Sequence, residues 1–195
     1  MAGLNGGGIR RVAAGADELA WPAGLVLLYA APALVAWGGG GAMSLPVVAL
    51  SLLLAASLIA LTEIDRASFR LPDRITLPLI AAGLLATAVT GGGLLWHLFS
   101  AALGLGAIVL VGEAYRAVRG VDGIGLGDAK LFAASGAWLG AAALPSVLLW
   151  ACASALAVLI ALRAAGRRLG ARTAIPFGPY LAFGTWAVWC LGPFG

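Results

Sequence analysis

Gly120–Leu131, GVDGIGLGDAKL, is a glycine-rich turn that ends in one carboxylate, Asp128, and leads straight into an apolar run. Glycines at 123, 125 and 127 open backbone conformations closed to other residues and let another segment approach closely. An acid at the mouth of an apolar run is costly unless something uses it. The rest of the chain reads as machinery for holding Asp128 opposite a second acid.

Outward from that turn, the 195-residue chain is 62% hydrophobic and only 10% charged, with a mean hydropathy of +1.03. Soluble domains carry roughly 25% charged residues. Apolar runs of about 15–22 residues recur between short polar or glycine-rich joints, close to the length at which a helix crosses a bilayer. The expected class is all-α: a polytopic transmembrane helical bundle, one integral-membrane domain over 21–195 behind a cytoplasmic tail over 1–20. The net charge of +4 is carried by 12 basic and 8 acidic residues. No soluble basic surface remains for a nucleic acid partner. Cys152 and Cys190 sit inside apolar runs, offer neither a disulfide framework nor a zinc spacing, and read as small buried hydrophobes.

Seven spans are expected, at about 21–37, 44–63, 75–90, 95–118, 128–140, 145–164 and 176–191. The first, Trp21 to Trp37, reads as an uncleaved helix rather than a secretory signal. The third and fifth are short for a full crossing. With the N-terminus inside, the inner segments are 1–20, 63–74, 116–130 and 163–175. These hold all 12 Lys and Arg residues, and the outer joints hold none. That split follows the positive-inside bias and gives an N-in, C-out topology. No repeat of 20–50 residues runs through the chain. Gly136 and Gly140 have the small-xxx-small spacing that suits close internal helix packing.

Asp65, after span two, and Asp128, opening span five, fall at the same inner face. Two carboxylates meeting there from different helices cannot both ionise easily and would share a proton. One deprotonates a water while the other donates to a scissile carbonyl oxygen. That chemistry needs no metal and no cofactor. Plainer roles stand beside it. Asp128 would also cap span five, and Asp65 would pair with Arg66. Asp73, following Pro72, fits a helix cap. Glu63 and Asp122 fit loop acids or contacts to a basic peptide, and Glu113 is spaced to pair with Arg116. His97, the only histidine, has no partners for a metal site or a triad. Lys130 either sets the charge of Asp128 or marks the inner face. The glycines do not form G-x-G-x-x-G, and no P-loop lysine follows, which argues against a nucleotide site.

Three blocks resemble one family. Gly125-Leu-Gly127-Asp128-Ala-Lys130-Leu131 is similar to the GxGD-x-K-L motif of bacterial prepilin peptidases, the type IV leader peptidases. Asp65 through Leu71-Pro72-Asp73-Arg74-Ile75-Thr76-Leu77-Pro78 resembles that family's first aspartate block. Ile175-Pro176-Phe177-Gly178-Pro179-Tyr180 is similar to its terminal IPFGP segment. The resemblance covers about Ser44 to the C-terminus. It implies an aspartic endopeptidase in the bacterial inner membrane, with Asp65 and Asp128 as the catalytic pair at the cytoplasmic face. Its partners would be prepilin or pseudopilin substrates and membrane lipid. Glu63, Asp73, Gly125, Gly127, Lys130, Pro176 and Gly178 are candidate supporting or substrate-binding positions. Pro176 and Gly178 would distort the start of span seven and leave backbone to line the site.

Many members of that family begin with paired CxxC motifs associated with N-methylation. The 20 residues before span one contain no cysteine, so the expectation is a short form that cleaves without methylating. Three other readings are weaker. Relatives of signal peptide peptidase and presenilin carry YD and PAL motifs, whereas here Ile64 precedes Asp65 and the late block is IPFGP. A proton-coupled transporter would place acids near the bilayer midplane and show inverted repeats; these acids gather at one face. An inactive scaffold has little support while both aspartates are present.

Overall fold

A computed structural model of the chain describes residues 29–35, 45–120, 125–166 and 176–193. The described residues are helical, without strands: α1 (residues 29–35), α2 (Leu45–Ser68), α3 (Asp73–Val89), α4 (Leu94–Arg119), α5 (Leu126–Leu139), α6 (Leu144–Ala164) and α7 (Gly178–Leu191). A single 3-10 turn, Ala141–Ala143, joins α5 to α6. The all-α membrane class expected from composition holds. The expectations resting on the 1–20 tail, Asp122, Gly123 and the 167–175 basic segment lie outside the described residues.

Helix boundaries follow the strong breakers. Pro72 precedes α3, while Pro145 and Pro179 occupy the opening turns of α6 and α7, where the missing amide would be unpaired anyway. One boundary differs in a way that matters: α2 does not stop at Glu63 but runs to Ser68. Nothing between Glu63 and Ser68 breaks a helix, and Arg66 in the last turn suits the negative end of the helix dipole. Asp65 therefore sits on a helix rather than on the connection after it. At the other acid, α5 begins at Leu126, so Asp128 is its third residue rather than its first.

The helices fall into two kinds. Leu45–Ser68, Leu94–Arg119 and Ala141–Ala164 are long and apolar enough to cross a membrane. Their outer faces leave Leu52, Leu95, Phe99, Leu110, Leu149 and Ile160 exposed, as a bilayer solvent requires. By contrast α5 and α7 have 14 residues each, about 21 Å at 1.5 Å per residue, short of the roughly 30 Å hydrocarbon core. These two form the interior. In α5, Ala129 and then Leu131 through Trp138 are buried, with α4, α3 and α7 around them. The other inner helix, α7, lies against α6 and α2 as well as α5.

Small residues bring the backbones together. A side chain at Gly136 would collide with the carbonyl of Ser100, and one at Gly104 with that of Phe132, so α4 and α5 touch main chain to main chain. The internal packing expected for Gly136 is what the fold uses. Polar groups then fix the rotation of each helix. The Trp138 indole donates to the Leu79 carbonyl at 2.9 Å, Ser135 and Thr185 share a buried 2.7 Å hydroxyl bond, and Trp189 donates to Ser51 at 2.9 Å. Away from water each such bond fixes one helix face against another.

Candidate active site

Asp65 lies near the end of α2, and Asp128 lies in the first turn of α5. The fold brings both to the wall of one cavity of about 300 Å³, which Phe69, Arg70, Leu71, Gly125, Leu126 and Gly127 complete. Asp65 is 5% exposed, while Asp128 is partly buried.

Each carboxylate is held by the start of a helix. The amide of Gly178, the first residue of α7, donates to Oδ2 of Asp65 at 3.1 Å. The free amides and positive dipole end of a helix favour an anion there. A methyl group at 178 would stand 2.6 Å from Oδ2 and 2.9 Å from Cγ of Asp65, so only glycine admits this approach. Asp128 is the third residue of α5, in its first turn, where the free amides and positive dipole end favour an anion. The cap reading and the site reading of Asp128 thus describe the same placement.

Of the two glycines of the 125–127 turn, only Gly127 works by absence of bulk. Gly125 is extended, at φ −76° and ψ 148°, a conformation any residue adopts; a Cβ there would meet nothing closer than 3.9 Å. Gly127 is different: a Cβ would lie 2.9 Å from Cβ of Leu71. Pro176, partly buried, precedes α7 by two residues without touching either carboxylate in any recorded hydrogen bond.

The other charged candidates pair among themselves. Arg66 reaches Glu63 at 3.5 Å, one helical turn away, and not Asp65 as the neighbouring positions suggested. Lys130 engages Asp73 rather than Asp128, tying α5 to the start of α3. The N-cap of α3 is Pro72 rather than Asp73, which is the first residue of the helix. Glu113 and Arg116 form the expected pair at 2.6 Å on an exposed face of α4. His97 Nδ1 lies 3.0 Å from the carbonyl of Ala137, far along the chain from either acid. Among the described residues no three His, Cys, Asp or Glu side chains gather as a metal site.

Sequence reasoning missed Phe69, Arg70, Leu71 and Leu126 as cavity walls. Leu71 and Arg70 carried a signal, since they lie between the two halves of the first acidic block. Phe69 carried none, because its role depends on a backbone angle.

Residues 52–161, which include both Asp65 and Asp128, match the model of the type IV leader peptidase family. The chain is similar to the prepilin leader peptidase/N-methyltransferase of Burkholderia pseudomallei, with 40% identity over 139 residues, covering 67% of this chain and 42% of the relative. The proteins of the same name from Aeromonas hydrophila and Pectobacterium carotovorum are 41% and 37% identical over 138 and 154 residues. Those matches cover 70% and 77% of this chain, and 47% and 55% of the relatives. The chain spans about half the length of the curated relatives it matches. No solved structure matches it. With both aspartates inside the matched region and on one cavity, the chain belongs to the type IV leader peptidase family.

Proposed function

We propose that the chain is a membrane-embedded aspartic endopeptidase that removes the basic leader peptide of type IV prepilins or type II secretion pseudopilins. The observation that carries this reading is the placement of Asp65 and Asp128 on one cavity wall, both within the stretch that matches the family. In the proposed reaction one carboxylate takes a proton from a water as that water attacks the scissile carbonyl carbon. The other, protonated, donates to the carbonyl oxygen. Collapse of the tetrahedral species passes a proton to the departing amine and regenerates the singly protonated pair. The half-buried cavity limits competing water and strengthens the interaction between the acids.

The proposed setting is the bacterial inner membrane, with seven spans, the N-terminus inside and the cavity at the cytoplasmic face. Support comes from the confinement of all 12 basic residues to the segments assigned inside, under the positive-inside bias. Glu63 and Asp73 flank the cavity-lining residues Phe69 and Arg70 in sequence. Their carboxylates are the candidates to meet a basic leader once their present partners yield.

The test is cleavage of a co-expressed prepilin by the wild-type chain, Asp65→Asn and Asp128→Asn, with membrane levels compared. Asparagine keeps size and polarity but does not ionise. The expected result is normal insertion with the leader uncut in both variants. Near wild-type cleavage by either would remove that aspartate from the chemistry and the dyad mechanism with it.

A further inference from the structure

Among the described non-glycine residues, Phe69 is the one with a left-handed backbone, at φ 55°. That region presses Cβ toward the following carbonyl, and a bulky residue there is an outlier that its surroundings must enforce. Such outliers concentrate where a site needs an unusual chain path.

The surroundings of Phe69 are specific. Its amide donates to the carbonyl of Asp65 at 2.7 Å, so the chain turns back upon the residue whose carboxylate lines the cavity. The Ser68 hydroxyl straps the same turn, donating to the carbonyls of Ile64 at 2.7 Å and Arg70 at 3.3 Å. Beyond the turn, Leu71 is buried against Gly127, where no side chain would fit. Pro72 then precedes α3 as its N-cap. Residues 69–72 thus form a hook from the end of α2 to the first turn of α5, spanning the two acids.

We propose that Phe69 is a positioning residue. Its left-handed backbone turns the chain so that Leu71 seats on Gly127, which holds Asp128 opposite Asp65. The proposal rests on the reading of those aspartates as a working pair and deepens it. What position 69 must supply is a backbone conformation and an amide for Asp65, not a phenyl ring.

The experiment measures kcat and KM of the full chain in membranes on a prepilin substrate for a series at position 69. Glycine and asparagine favour the left-handed region, whereas valine resists it and proline excludes it and lacks the amide. Phe69→Gly and Phe69→Asn are expected to stay within about threefold of wild-type kcat, and Phe69→Val and Phe69→Pro to fall about tenfold or more with KM held within about threefold. Leucine and tyrosine at 69 serve as controls for the side chain. If activity follows apolar bulk, with Leu and Tyr active and Gly and Asn inactive, the proposal is overturned; equal activity across the series overturns it too.

Should Val and Pro fail to insert, Leu71→Ala supplies the second check. It leaves the turn intact, removes the contact on Gly127, and is expected to lower kcat about tenfold with little change in KM. Unchanged kcat in Leu71→Ala would sink the hook. A wild-type chain that leaves the prepilin whole would instead overturn the peptidase reading on which the hook depends.

Discussion

The amide of Gly178 and the carboxylate of Asp65 meet at 3.1 Å, although the two residues are 113 positions apart. This bond exists only because position 178 has no side chain. Gly178→Ala places a methyl 2.6 Å from Oδ2. Overpacking of that kind costs about 1–3 kcal/mol, and here the carboxylate is the group that must move. The expected outcome is a chain that still inserts but cleaves at least about tenfold more slowly. A single-turnover cleavage assay beside a thermal melt checks it.

Asp128 holds two roles that different substitutions separate. Asparagine keeps a polar oxygen beside the free amides of the first turn of α5, whereas alanine removes it. Asp128→Ala is expected to lose about 1 kcal/mol of stability relative to Asp128→Asn. Both leave the substrate uncut. Melting of the two purified variants in one detergent, with the cleavage assay alongside, gives the comparison.

The Lys130–Asp73 pair crosses from α5 to α3 with its side chains 29% and 57% exposed. Exposed pairs contribute little, so a double-mutant cycle with Lys130→Met and Asp73→Asn is expected to give a coupling under about 1 kcal/mol that shrinks as salt is raised. Thermal melts of the four proteins at two salt concentrations check it.

Ser135 and Thr185 join α5 to α7 through buried hydroxyls. In a membrane setting such bonds average about 0.6 kcal/mol in double-mutant cycles. Ser135→Ala and Thr185→Val are each expected to be mildly destabilising, with the double variant losing less than the sum. Additive losses in unfolding measurements would show that the bond contributes nothing beyond packing.

The apolar runs and their glycine and proline joints were enough to read an all-helical membrane bundle, because helix-forming apolar stretches have few alternatives in lipid. Asp65 and Asp128 were legible from their placement at one end of the runs and from the three-block resemblance. The extension of α2 through Asp65 was not, since the charged stretch 63–68 looks like a connection until Pro72 is recognised as the breaker. The partner choices of Arg66 and Lys130 were also hidden. Sequence neighbours suggested Asp65 and Asp128, whereas helix geometry supplied Glu63 at one turn's distance and Asp73 from another helix. The left-handed angle at Phe69 leaves no trace in the residue type, which ordinarily avoids it.

The brevity of α5 bears on how the protein is made. A 14-residue segment is a poor substrate for stand-alone insertion, and its glycine-lined contact with α4 is available only after that helix is in the bilayer. During synthesis, Asp128 therefore arrives at its place late, when its neighbours have gathered around it. Asp65 likewise lacks the Gly178 amide until α7 has joined the bundle. A nascent chain thus carries the two acids apart, and the cavity they share comes into being only as the helices assemble.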